Sequence, residues 1–124
     1  MIEMSKEIRT NMVMEETAKA IGGAVTRAYH ITNEKTNRVL VEAKKFEDVA
    51  MSSADGYENK YSDLLEIAEK FVYITKVLTE NNSSSALDGL QDGICWLREH
   101  KSERVDKSFF GCYMYGFSCD IYKH

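Results

Sequence analysis

A chain of 124 residues without a single proline carries almost nothing that forbids helix. Proline fixes φ, removes a backbone donor and clashes with the preceding turn, so without it only glycine and polar clusters interrupt regular structure. Such interruptions stand at Thr32 and Asn33, at Ser52 to Gly56, at Asn81 to Ser85 and at His100 to Ser102, and they divide the chain into five segments. No linker separates domains and no internal repeat is evident. A single domain of this size buries about two thirds of the surface of its unfolded chain and needs no external staple.

The first segment, from about Ser5 to Ile31, places Val13, Thr17, Ala20, Ala24 and Ala28 at three- and four-residue spacings, flanked by Ile21 and Val25. This pattern predicts a helix with a small-residue face. Gly22 and Gly23 interrupt it, each at a cost of about 1 kcal/mol relative to alanine in an exposed helix. Close approach of a neighbouring helix accounts for them; a break leading into a strand through Val25, Arg27, Tyr29 and Ile31 is the alternative. The second segment opens on Asn33 as an N-cap and sets Thr36, Val39, Leu40, Ala43, Phe46, Val49 and Ala50 along one stripe. Arg38, Glu42, Lys45 and Asp48 fall outside that stripe, and Val41 is the one apolar residue off it.

Between Glu58 and Glu80 the pattern is strongest: Tyr61, Leu64, Leu65, Ala68, Phe71, Val72, Val77 and Leu78 form a stripe that Ile67 and Ile74 widen. A helix this broadly apolar is expected at the centre of a bundle. A polar loop ending in a cap at Ser85 leads to Leu87, Leu90, Ile94 and Leu97, with Cys95 and Trp96 beside the stripe and Gly89 and Gly93 four apart. Segments three and four therefore read as an antiparallel helical hairpin.

Six of the thirteen aromatic residues and two of the three cysteines crowd into the last sixteen positions. As a strand, odd positions from Phe109 to Ile121 share one face; as a helix capped by Ser102, Val105, Phe109, Cys112, Gly116 and Cys119 form a seam with Tyr113 and Phe117 beside it. A strand needs partners, and the other segments read at least as well as helix. The expected fold is an all-α single-domain bundle of four to five helices, with an α+β arrangement using the C-terminal segment in a small antiparallel sheet as the alternative.

The net charge of −4 is concentrated in residues 57 to 100, which hold eight acids to four bases. Without a basic stripe to neutralise phosphates, direct nucleic-acid binding is not expected. Apolar runs are too short to span a membrane, and the opening Met1 to Glu7 lacks the basic and apolar regions of a signal peptide, so a cytoplasmic location is expected. Cys95, Cys112 and Cys119, an odd number, suit buried reduced thiols rather than a disulfide framework.

Chemical constellations are weak. Cys95, His100, Cys112, Cys119 and His124 match no compact ligand spacing, so neither a metal nor another cofactor is expected. His30 and His100 suit helix C-termini, where the dipole favours a cation. Glu15 with Glu16, Glu47 with Asp48 and Glu66 with Glu69 read as solvated faces, Cys95 and His100 are five apart rather than four, and no phosphate-binding loop is present. No catalytic residues are therefore assigned. The chain is expected to be a non-enzymatic adaptor, regulator or inhibitor that works by protein contact, self-associating as a homodimer through its aromatic C-terminal segment. Trp96, Phe110, Tyr113, Met114, Tyr115 and Phe117 are the candidate interface. The alternative is a small-molecule-binding bundle whose pocket these aromatics line together with Cys112. A third reading has the acidic stretch from Glu58 to Glu99 imitating nucleic-acid charge.

Overall fold

The structure, a computed structural model, describes residues 6–32, 38–79 and 84–121. Five helices make an all-α bundle: α1 Lys6–Thr32, α2 Arg38–Ala54, α3 Tyr61–Thr79, α4 Ser84–Glu99 and α5 Phe109–Ile121. Among the described residues the only β pairing is one isolated bridge between Lys60 and Arg104, and the strand considered through Val25 to Ile31 lies inside α1. The expected cap Asn33, its neighbour Thr36, Tyr122 and His124 lie outside the described residues, as do the side chains of His30, Leu40, Leu78 and Ser85.

The central helix is α1. It packs most extensively against α5 and next against α4, while α2 and α3 pair with each other across the bundle. α3, expected at the centre, instead leaves Tyr73 and Val77 exposed. Centrality went to the helix with the smallest side chains, because only such a helix lets neighbours approach closely on two sides. Its buried positions are Met14, Ala18, Ile21, Ala24, Val25, Thr26 and Ala28, together with both glycines; Val13, placed on the buried face by its spacing, is exposed.

The glycines mark where backbones touch. A Cβ at Gly22 would lie 2.1 Å from the Tyr113 carbonyl oxygen, and one at Gly116 would lie 2.0 Å from that of Lys19. Gly22 also faces the Phe117 amide, so glycine stands on both sides of the α1–α5 contact. The buried Thr26 hydroxyl lies 3.1 Å from the carbonyl of Gly22 and 3.0 Å from that of Phe117, bridging the pair. Thr26→Val keeps the shape and removes the donor, and is expected to lower stability by about 1 kcal/mol, read as a shift in urea midpoint at unchanged slope.

The connections at one end of the bundle are tied together. Tyr61 and Ser62 donate their amides to the carbonyls of Glu103 and Lys101, each at 3.0 Å, and Val105 donates to Asn59 at 2.8 Å. The first turn of α3, which has no intrahelical acceptors for its amides, is thus satisfied by the segment joining α4 to α5. That explains why α5 does not begin at Ser102: residues 101 and 103 spend their carbonyls on α3. α5 starts instead at an Asp106–Ser108 turn, in which the Ser108 amide and hydroxyl both donate to the Asp106 carboxylate. α2 ends on Gly56 at φ +98°, with Gly56 and Tyr57 donating to the carbonyls of Ser53 and Ser52, a left-handed cap that suits glycine.

Two buried positions differ from the expected stripes. On α5 the deepest residues are Phe109, Tyr113 and Gly116, with Cys112 half-buried and Cys119 exposed, so the seam is turned toward Tyr113. Gly116 must face the α1 backbone, and Phe109 and Tyr113 then meet Phe46 of α2, with ring centroids 6.3 and 5.1 Å away. On α2, Glu42 is buried rather than solvated, its carboxylate held by Lys45 at 3.2 Å and by Lys70 of α3 at 3.5 Å. Val41 is exposed, as its position off the stripe implies.

Candidate functional site

The C-terminal aromatics do not converge on one surface. Tyr113 is almost fully covered, and burial carries its hydroxyl pKa well above the ordinary tyrosine range. Phe110, Met114 and Phe117 are half-buried against the core on one flank of α5, while Tyr115 is 61% exposed on another side, under the Lys19 ammonium. Trp96 belongs to α4, where its ring meets Tyr61 edge-on at 4.8 Å and stacks on His100 at 4.2 Å; Tyr61 in turn meets Phe109 at 5.6 Å and so joins it to the core aromatics. His100 Nδ1 is in contact with the Glu103 carboxylate. Burial pushes the Tyr61 hydroxyl up to about 12, against the lowering effect of the Asp106 amide that donates to it at 3.0 Å.

The cysteines are unpaired with one another, and Cys95 and Cys119 are exposed, a departure from the expected burial. Both lie on faces the packing leaves open, one on the outer side of α4 and one near the end of α5. Burial, aided by Glu15, pushes the Cys112 thiol up, which keeps it protonated and a poor nucleophile. Among the described residues no cluster of three or more histidine, cysteine or acidic side chains is arranged to hold a metal ion.

Concave surface is found instead beside α4. Between α3 and α4 runs an open groove of about 400 Å³ lined by Val72, Tyr73, Ile94 and Cys95, with Glu69, Lys76, Gln91 and Arg98 around them. Its apolar floor is continuous with the core, and the Arg98 guanidinium reaches Glu69 of the opposite helix at 3.7 Å. Between α1 and α4 lies a second groove, also about 400 Å³, lined by Met12, Val13, Thr17, Ala20 and Gly93, with Glu16 and Asp92 at its edges. Here the helices are held close because Gly89 and Gly93 leave no side chain between them: a Cβ at Gly89 would lie 2.8 Å from the Ala20 carbonyl oxygen. Neither groove is lined by Phe110, Cys112, Tyr113, Met114, Tyr115, Phe117 or Trp96.

A third concavity, of about 470 Å³ between α2 and α3, is lined by Glu42, Asp63, Glu66, Lys45 and Lys70 among others. Its one buried carboxylate, Glu42, is engaged by both lysines, and Asp63 accepts from the Lys60 amide to cap α3. Those charges serve the fold. Sequence reasoning passed over Met12 and Tyr73 and set Val13 and Val77 on apolar stripes, yet all four are 51 to 69% exposed. The available signal was their apolar character at positions that the packed helices cannot cover on both sides.

No described helix is long and apolar enough to cross a membrane. Comparison with family models, with curated proteins and with solved structures finds no match to this chain.

Proposed function

We propose that this is a small cytosolic protein that acts by binding another protein rather than by catalysing a reaction, and that it binds through the face centred on α4. The observation that carries the reading is the pairing of two apolar grooves on either side of one helix, with Met12 and Val13 at the outer wall of one and Tyr73 at the outer wall of the other, one turn before the exposed Val77. Apolar side chains of this size, grouped rather than scattered, mark interaction surfaces, and methionine and tyrosine are among the residues enriched there. The exposed thiols of Cys95 and Cys119 suit a reducing compartment. The α4 face is favoured over the C-terminal segment because Tyr113 is spent on the core and Tyr115 stands apart from the Phe110, Met114 and Phe117 flank.

A photo-crosslinking side chain placed at position 13 or 73, and at the exposed or half-exposed control positions 47 and 66, tests this in an extract of the source cells. Protein adducts are expected from 13 or 73 and not from the controls. Equal adducts at all four positions, or none at 13 and 73, would overturn the assignment. Adducts at twice the chain's mass, with matching concentration dependence in sedimentation, would identify the partner as a second copy.

A further inference from the structure

Resting on the reading of the chain as a contact protein, we infer that the α1–α4 groove receives an amphipathic helix of a partner protein, one whose apolar stripe is bordered by lysine or arginine. The floor of the groove is made by Thr17, Ala20 and Gly93, small enough for a third helix to lie against the pair, and Met12 and Val13 supply the apolar wall. Methionine is adaptable enough to fit varied side chains. From Met12 to Ala20 the α1 wall extends about 12 Å, which is roughly two helical turns and suits apolar side chains at i, i+3 or i+4, and i+7 of the incoming helix.

Charge selects the kind of helix. Glu16 stands on the α1 side and Asp92 on the α4 side, with Asp88 one turn before Asp92. Glu16 meets Lys19 at 3.4 Å in an exposed pair, but Asp88 and Asp92 form no ion pair among the described residues. Two carboxylates at i, i+4 repel one another within the helix they share, and a cation from outside relieves that repulsion. The other grooves carry bases among their acids: Glu69 meets Arg98 in the α3–α4 groove, which Lys76 also lines, and Lys45 and Lys70 hold Glu42 between α2 and α3, beside Asp63 and Glu66. Alone among the three, the α1–α4 groove is lined by acidic residues and by no lysine or arginine.

The test uses two labelled fourteen-residue peptides with leucines at helical spacing, one filled out with lysine and its twin with glutamate, titrated with the full chain in fluorescence anisotropy. The lysine peptide is expected to bind at least tenfold more tightly than its twin, and progressively less well as salt rises. Asp88→Asn with Asp92→Asn should weaken the lysine peptide at least fivefold and flatten its salt dependence. Val13→Asp should weaken it at least tenfold, because it removes the apolar wall, even though the added negative charge favours the lysine peptide. Glu47→Gln with Glu66→Gln, the same charge change on α2 and α3, should leave binding unchanged. Circular dichroism melts confirm that each variant is folded, and the salt series on the unaltered protein decides the matter should one of them fail. Equal binding of the two peptides, or equal loss from both double variants, would overturn the inference. Crosslinks from position 73 but not 13 would overturn it too, while leaving the broader contact reading in place.

Discussion

Replacing Gly116 by alanine is expected to destabilise the protein by about 3 kcal/mol or more, at the upper end of what overpacking a core costs, whereas alanine at Gly111 on the same helix is expected to stabilise it by about 0.5 kcal/mol. The difference comes from what each new methyl group meets. At Gly116 it would stand 2.0 Å from the Lys19 carbonyl oxygen, with the carbonyl carbon and Cα of Lys19 at 2.7 and 2.8 Å; at Gly111 nothing lies within 4 Å. A side-chain tip can swing aside, but a carbonyl in the middle of α1 is held by its own helix. Accommodation therefore requires α5 to lift off α1 as a body. Gly22→Ala should behave like Gly116→Ala, since its methyl would meet the Tyr113 carbonyl oxygen at 2.1 Å. Because one displacement of α5 relieves both clashes, the double variant should lose clearly less than the sum of the singles. Urea unfolding followed by far-ultraviolet circular dichroism measures all four. A Gly116→Ala variant within about 0.5 kcal/mol of the parent, the range of ordinary surface changes, would mean that the helices do not touch there.

The same glycines show what is legible in a sequence of this kind and what is not. Gly22 and Gly23 in an otherwise continuous helical pattern demand a reason, and close approach is the right one at Gly22; the identity of the approaching helix is not written locally. It depends on Gly116, ninety-four positions away, and on which face of α5 turns inward. The seam drawn through Cys112 and Cys119 followed chain periodicity, which allows neighbouring rotations of a short helix equally well. What decided the rotation was the pairing of Gly116 with the α1 backbone and of Tyr113 with Phe46. Glu42 was misplaced for a related reason. Its position next to the apolar stripe of α2 is covered only because α3 brings Lys70 over it, a contact between segments that no single-helix pattern contains. The start of α5 was hidden in the same way, since residues 101 and 103 are drawn into capping α3.

The interaction face was legible only as an excess. Residues 57 to 100 carry eight acids to four bases; of these acids Glu69 is paired across helices with Arg98, whereas Asp92 lies at the rim of a groove that no base lines, with Asp88 one turn before it. Val13 was assigned to the core because Thr17, Ala20 and Ala24 follow it at helical spacing. Val13 instead faces the groove between α1 and α4 and is half exposed, so the stripe runs out from the core into the groove.

The sharpest separation of core from surface is expected within α5 itself, between two tyrosines two residues apart. Tyr113→Ala should cost about 3–5 kcal/mol, the usual range for emptying a fully buried aromatic site, because its ring lies 5.1 Å from Phe46 and 6.3 Å from Phe117 and is 1% exposed. Tyr115→Ala should cost no more than about 0.5 kcal/mol, the worth of an exposed cation–π contact, since its main neighbour is the Lys19 ammonium 5.3 Å from the ring centroid. A domain of this size is stable by only about 5–15 kcal/mol, so the first change alone should bring the thermal midpoint down by tens of degrees. The pair also discriminates between the two roles open to an aromatic C-terminal segment. If α5 closes the core, stability follows Tyr113 and the sedimentation coefficient is indifferent to Tyr115. If α5 is chiefly a surface for self-association, Tyr115→Ala should instead change the mass in solution while Tyr113→Ala leaves the melting temperature nearly unmoved. Calorimetry and sedimentation on the same two variants therefore decide whether the aromatic segment is spent on folding, leaving the α4 face free for a partner.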